Sequence, residues 1–225
     1  MEVNIQNCGE ISLAHYGVLF LDELPEFNRS TLEVLRAPIE DGKITISRNL
    51  QVITYPCNFM LVASMNPCPC GYYGTNRECS CSEESIKKYL NKISGPLFDR
   101  IDIQVEVNSV KYENLNSDIC EETSSQIQSR VNNARNLQKI RYKGMNIYSN
   151  SELTPALIKE FCKLDDKGKF ILENAFEKLG LSARAYTRIL KVARTIADLD
   201  GCENIKEKHL LEAVQYRSLD KKYRR

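Results

Sequence analysis

Gly17-Val-Leu-Phe-Leu-Asp22-Glu23 decides how the rest of the chain is read. Four apolar residues, Val18 to Leu21, have the length and composition of a strand buried on both faces. Two carboxylates follow at its carboxyl end, where open α/β sheets bind their ligands. An acid there can hold Mg²⁺ on a nucleotide, and the next acid can align a water against the γ-phosphate. That is the layout of a Walker B motif with its catalytic glutamate. From this segment alone, a buried strand that merely ends in Asp-Glu is the competing reading.

A P-loop would read Gly-x-x-x-x-Gly-Lys-Ser/Thr, and no such string occurs in the sequence. The nearest Gly-Lys pairs, Gly42-Lys43 and Gly168-Lys169, are followed by Ile44 and Phe170, so neither brings a hydroxyl to Mg²⁺. Only 16 residues precede Gly17, too few for a P-loop strand, its helix and a return. The expectation is a chain truncated at its amino end, or one that does not hydrolyse ATP alone.

At 225 residues the chain has room for one or two domains with their own cores. Hydrophobic residues at 42% and charged residues at 27% describe an ordinary soluble protein. No apolar run approaches the ~20 residues that span a bilayer, and the amino terminus has no basic-then-apolar signal region. Nine cysteines, an odd number, without an export signal predict a cytoplasmic protein with reduced thiols. The net charge of +1 hides an asymmetry. Residues 1–112 hold 10 Lys and Arg against 14 Asp and Glu, a net −4, whereas residues 113–225 hold 21 against 16, a net +5. The second half is better suited to meet phosphate, although solvated basic helix faces account for the same numbers.

Leu24-Pro25-Glu26-Phe27 breaks the first strand. Asn28 or Ser30 can cap a short helix with Leu32, Leu35 and Ile39 on one face, ended by Asp41-Gly42. Lys43 to Arg48 and Gln51 to Tyr55 alternate with period two and predict a hairpin turning at Asn49-Leu50. A second buried strand is expected at Phe59 to Ala63, running into Ser64-Met65-Asn66-Pro67. Asn114 to Thr123 is polar and reads as a linker. Beyond it Ile127, Val131, Ala134 and Leu137 follow helical spacing, and further helices are expected near 155–163, 167–179, 183–199 and 206–217. Over 183–199, Ala185, Ile189, Val192, Ile196 and Leu199 form an apolar stripe, with Arg184, Arg188 and Lys191 on another face.

Cys68-Pro-Cys70 and Cys79-Ser-Cys81 are separated by eight residues, and Gly71, Tyr72, Tyr73 and Gly74 let the loop fold back. Four thiolates can close a structural Zn²⁺ site, with reduced unliganded or redox-active thiols as alternatives. Cys8, Cys57, Cys120, Cys162 and Cys202 show no pairing pattern. His15 and His209 are lone histidines with packing or surface roles.

In order along the chain come Gly9-Glu-Ile-Ser-Leu-Ala-His15, Phe20-Leu-Asp-Glu-Leu-Pro-Glu-Phe27, Met65-Asn-Pro-Cys-Pro-Cys-Gly71, Gly95-Pro-Leu-Phe-Asp-Arg100 and Leu181-Ser-Ala-Arg-Ala-Tyr186. This set resembles the ComM/YifB family of magnesium-chelatase-like AAA+ ATPases over almost the whole chain, lacking the family's amino-terminal domain and the P-loop half of its core. The resemblance implies an α/β fold: a partial AAA+ core at 1–112 with parallel strands, a helix and a hairpin insert, a linker at 113–123, and an all-α lid at 124–225.

The resemblance also implies roles. Asp22 would sit in the Mg²⁺ shell of ATP, and Glu23 would orient the hydrolytic water. Asn66 resembles the sensor-1 residue, whose amide both donates and accepts; a turn cap before Pro67 is the plainer role. Arg100 resembles an arginine finger, a group worth ~10³–10⁵ in rate in other phosphoryl-transfer systems; a salt bridge to Asp99 or Asp102 is its plainer role. Arg184 resembles sensor 2, against a solvated helical arginine. The hairpin carrying Lys43 and Arg48 corresponds to one that faces the central channel of related motors, where both cations would meet the phosphate backbone. The resemblance implies a cytoplasmic ring that self-associates as a hexamer and moves on DNA, promoting branch migration in natural transformation, with no membrane partner. The rivals are a non-catalytic assembly module without ATP turnover and a magnesium-chelatase-type motor subunit.

Overall fold

A computed structural model describes residues 9–48, 51–107 and 122–219. Cys8, Cys120, Asn49-Leu50 and most of the expected linker lie outside the described residues. The chain divides into two compact units, residues 1–101 and 102–225.

The first unit opens with a short helix α1 (Glu10–Leu13) and strand β1 (Val18–Leu21). After a 3-10 turn (Leu24–Glu26) come α2 (Arg29–Val34) and α3 (Arg36–Asp41). The single helix expected here is split at Leu35. Pro38 has no N–H to give the Val34 carbonyl, and its ring crowds that same turn. Asn28 takes the cap position without a side-chain cap bond, and Gly42 ends α3 in the left-handed conformation at φ 65°. Leu32 and Leu35 are buried.

β2 (Lys43–Arg48) and β3 (Gln51–Pro56) form the antiparallel hairpin, in register from Lys43 opposite Pro56 to Arg48 opposite Gln51. Ile44, Ile46, Ile53 and Tyr55 share its half-buried face, while Thr45 and Thr54 meet across the exposed one at 3.0 Å. β4 (Met60–Ala63) pairs in parallel with β1, from Val18 opposite Met60 to Leu21 opposite Ala63. Burial of both strands on both faces is not what the structure holds. Val18, Phe20, Met60 and Val62, which share one face of the pair, are between 40% and 63% exposed. A two-stranded sheet has too little neighbouring structure to cover both faces. The unit's interior lies instead among Leu24, Leu32, Leu35, α4 (Glu83–Leu90) and α5 (Gly95–Phe98).

The second unit is helical. α6 (Ser124–Arg141) starts in a capping box between Thr123 and Gln126. α7 (Pro155–Phe161), α8 (Asp166–Leu179) and α9 (Ala183–Leu199) are capped by Thr154, Asp165 and Ser182, and α10 (Glu207–Gln215) follows. One continuous core joins Tyr142, Ile158, Leu172, Ala185, Ile189, Ala193, Ala197 and Leu210. The stripe expected on α9 is displaced. Leu199 is exposed, and the deeply buried positions include Leu190, Ala193, Arg194, Ala197 and Asp198. Alanines let neighbouring helices come close, and that approach carries Arg194 and Asp198 inside.

Those two charges are fully served. Arg141 donates to both Asp198 oxygens at 2.9 and 2.5 Å, and Asn150 and Gln138 donate to Oδ2 at 2.8 and 3.3 Å. Arg194 donates to Asp198 Oδ1 at 3.2 Å and to the carbonyls of Glu203 and Cys202, each at 2.6 Å. Asp102 pairs with Arg188 at 2.5 Å and the Gln104 amide donates to the Tyr216 carbonyl at 3.1 Å, so 102–104 pack with the helices. Among the described residues, no helix is long and apolar enough to cross a membrane.

Candidate functional site

Parallel pairing of β1 with β4 puts the residues that follow each strand at the same end of the sheet. There the Ser64 hydroxyl donates to Asp22 Oδ1. The Glu23 amide donates to Asp22 Oδ1 at 3.1 Å and to Ser64 Oγ at 3.3 Å, and the Leu24 amide donates to the Ser64 carbonyl at 2.9 Å. Among the described residues these bonds to Asp22 all reach Oδ1, which leaves Oδ2 for a ligand. Glu23 holds φ 50° and ψ 51°, a left-handed conformation costly for a residue with a side chain. The strain turns the chain sharply off the strand and leaves both carboxylates exposed. Ser64 is the residue that sequence reasoning missed. Its signal was a hydroxyl at the end of the neighbouring strand, visible only once the register is known.

Asn66 lies just beyond Ser64, with an exposed side chain. Its backbone meets the Tyr89 hydroxyl from α4. Burial pushes the Tyr89 phenol up, which keeps that hydroxyl neutral. Gly71, at φ 83°, stands behind the Asn66 side chain: a β-carbon there would come within 3.9 Å of Oδ1.

Arg100, just after α5, is almost fully buried. It donates to the Pro96 carbonyl at 2.6 Å and forms an ion pair with Glu40 at the end of α3. Asp102, one of the two plainer partners, is paired with Arg188. Arg184 is exposed in the first turn of α9, in the other unit. Lys43 is exposed at the start of β2, and Arg48 ends the same strand. The structure thus gathers Asp22, Glu23, Ser64 and Asn66 at one sheet edge, and holds Arg100 against α3 within the same unit.

The cysteine loop forms a second constellation. The sulfurs of Cys68, Cys70, Cys79 and Cys81 all lie within 4.8 Å of one another. Cys68–Cys70, Cys68–Cys79 and Cys70–Cys79 separations are 3.4, 3.7 and 3.5 Å, too long for disulfides. The backbone amide of Tyr72 pulls the Cys70 thiol down to about 6. The Cys81 amide favours a Cys79 thiolate, yet burial and the neighbouring sulfurs push Cys79 up to about 12.

Asp200, Cys202 and His209 make another compact group, but its hydrogen bonds argue against a metal. The Lys206 amide donates to His209 Nδ1 at 3.0 Å, so the ring proton sits on Nε2 and points to Asp200 Oδ2 at 3.1 Å. A metal on Nε2 would displace that proton. Cys57 and Cys162 are buried in their units.

Comparison with known proteins adds two matches along the chain. Residues 3–115 match the family model described as magnesium chelatase, subunit ChlI, and residues 121–217 match the one for its C-terminal region. The chain belongs to the magnesium chelatase ChlI family. Within it, the chain is 50% identical over 212 residues to the competence protein ComM of Haemophilus influenzae, covering 94% of this chain and 41% of that protein. It is 47% identical over 214 residues to the uncharacterized protein YifB of Escherichia coli, covering 95% and 41%. An uncharacterized Mycobacterium tuberculosis protein is 37% identical over 193 residues, covering 86% and 38%. The chain therefore spans about two-fifths of the length of the curated relatives it matches. For this magnesium chelatase family chain, the α/β piece with parallel strands and the helical piece agree with a partial AAA+ core and its lid.

Proposed function

We propose that this chain supplies the Walker B, sensor and lid parts of an ATP-driven ring motor that acts on DNA. One observation carries the reading: β1 and β4 run parallel, and Ser64 ties the Asp22-Glu23 turn to the strand that leads into Asn66. The donors at this edge are carboxylate, hydroxyl and amide oxygens, the set a hard cation such as Mg²⁺ prefers. They fit the metal and water end of a nucleotide. The backbone cradle and lysine of a P-loop are not encoded in the sequence, so the triphosphate would be held by another segment.

Bound Mg²⁺ would neutralise charge developing on the phosphoryl oxygens. Asp22 would hold the metal's water shell, with its orientation fixed by Ser64. Glu23 would align the attacking water and accept its proton, and Asn66 would donate to the γ-phosphate edge. Arg100 would serve the neighbouring subunit's nucleotide after leaving Glu40, and Arg184 would close the lid over the phosphates. In this reading residues 1–112 are the core, 113–123 the linker and 124–225 the lid of a cytoplasmic hexamer. Its cofactors are ATP, Mg²⁺ and a structural Zn²⁺ on the four clustered cysteines. Its track is DNA, met by Lys43 and Arg48, and its task is branch migration in natural transformation. Half of the aligned residues are shared with a competence protein, which supports that task. The family's own description supports a second reading, a chelatase-type motor subunit.

Joined to a P-loop-bearing segment from the family, the chain should hydrolyse ATP. Glu23→Gln should then keep ATP binding and lower turnover by about 10²-fold or more. Unchanged turnover in that variant would overturn the site assignment.

A further inference from the structure

The cysteine loop has little to hold it without a metal. Between Pro67 and Ser82, Cys68 is the only buried residue, and Tyr72 and Tyr73 are exposed. Its internal bonds are local: the Gly71 amide to the Cys68 carbonyl at 3.0 Å, the Thr75 amide to the Tyr72 carbonyl at 3.0 Å, and Arg77 against the Tyr72 hydroxyl at 3.3 Å. Such bonds do not offset the entropy of ordering a segment this long. Yet four sulfurs from two separate Cys-x-Cys pairs converge.

Zn–S bonds near 2.3 Å in a tetrahedron put the sulfurs about 3.8 Å apart. Cys68, Cys70 and Cys79 sit 3.4 to 3.7 Å apart, close to that edge, and the Cys81 sulfur lies within 4.8 Å of each of them. The Tyr73 amide donates to Cys68 Sγ at 3.3 Å, the kind of outer bond that stabilises a ligating thiolate. A closed four-thiolate set suits Zn²⁺ or an iron–sulfur centre, and four single sulfurs this tightly gathered leave no room for bridging sulfides.

We infer that Cys68, Cys70, Cys79 and Cys81 bind one Zn²⁺, and that this metal sets the position of Asn66. Two features carry the coupling. Gly71 follows the ligand Cys70 directly and backs onto the Asn66 amide. Ser82, which follows the ligand Cys81, caps α4 through the Ser85 amide at 3.2 Å, and α4 carries Tyr89 to the Asn66 backbone. The metal thus ties down a loop that lies beside the Asn66 side chain at Gly71 and runs out through Ser82 into α4, whose Tyr89 faces the Asn66 backbone. Asn66 is a positioned residue, and the zinc acts through it. Its importance for turnover rests on the reading of Asn66 as the residue facing the nucleotide; the positional claim stands apart from it.

The test uses the 225-residue chain purified without chelator. Elemental analysis should give one zinc per chain, and Cys79→Ser should lower it. Hydrogen exchange after chelation should speed up by about tenfold or more across 66–82 and at Asn66 and α4, and leave α9 unchanged. Tyr89→Phe should keep the zinc and still loosen Asn66. Chains without metal, or with iron and visible absorbance, would overturn the site. Zinc binding with faster exchange confined to 68–81 would overturn the coupling alone. Neither result depends on ATP turnover, so failure here is distinct from failure of the motor assignment.

Discussion

The helical unit and the α/β unit bury different things. In the helical unit an uninterrupted apolar core surrounds a charged network in which Asp198 and Arg194 are each met by several partners. In the α/β unit, apolar strand residues Val18, Phe20, Met60 and Val62 stay exposed, and so do Asp22, Glu23 and Asn66. The helical unit buries one continuous apolar cluster. The other carries candidate chemistry on a sheet that lacks cover, with a cysteine loop that needs a cross-link. Strain at Glu23 persists only where surrounding structure fixes it, and here the Ser64 hydroxyl and carbonyl hold that turn.

The largest effect expected is in the helical network. Asp198→Ala leaves Arg194 and Arg141 without their carboxylate, and losing one partner of a buried pair costs about 3–5 kcal/mol. The loss should appear in urea unfolding of the helical signal at neutral pH. Burial works against the Asp198 charge, but hydrogen bonds from Arg141 and Asn150 hold its carboxyl below the usual range. A carboxyl depressed in the folded state stabilises above its unfolded value, about 3.9, and that contribution fades as pH falls through the folded value. The gap between variant and parent should therefore narrow below about pH 4. A gap below about 1 kcal/mol at pH 7, or one indifferent to acid, would mean the network is no keystone of this unit.

The two units were not equally legible in the sequence. Strand β1, the hairpin and the helices beyond Thr123 announce themselves by apolar runs, period-two alternation and caps, all local signals. The break at Leu35 was also local, since Pro38 stands in plain sight, but the stripe of Leu32, Leu35 and Ile39 outweighed it. Arg194 and Asp198 were not legible, because on α9 they look like ordinary solvated charges. Only the close approach permitted by Ala193 and Ala197 takes them inside. At the candidate site, Asp22, Glu23 and Asn66 could be read from their positions after apolar runs. Ser64 and Glu40 could not, since their partners are 42 and 60 residues away along the chain.

A smaller effect should come from Glu40→Ala, which tests whether the α/β unit holds a buried charge the way the helical unit does. The Arg100 side chain is only 6% exposed, while that of Glu40 is 43% exposed. If the pair clamps α3 to α5, its removal should cost the α/β unit about 1–3 kcal/mol, measured by urea unfolding with zinc present. If Arg100 swings outward with ease to serve a neighbour, stability should barely change, and ATP turnover in an assembled ring should hold or rise. A large loss of stability together with unaltered turnover would separate Arg100 from any role across subunits.

The smallest effect concerns DNA, and it sets the two units directly against each other. Net charge favours residues 113–225, at +5, over residues 1–112, at −4. The hairpin nevertheless presents Lys43 at the start of an antiparallel pair, and a cation held on a strand would meet a phosphate at a defined place. Taking one cation away from the phosphate backbone should flatten the plot of log affinity against log salt by about 0.9 on duplex DNA and about 0.7 on single strands. Lys43→Ala should produce one such step, independent of base sequence. Lys159→Ala, at an exposed position on α7, should leave the slope where it was. The reverse outcome would assign DNA to the basic helical surface, where diffuse charge rather than a placed side chain attracts the backbone. The hairpin would then lose its part in the motor, although the nucleotide edge built on β1 and β4 would keep its own.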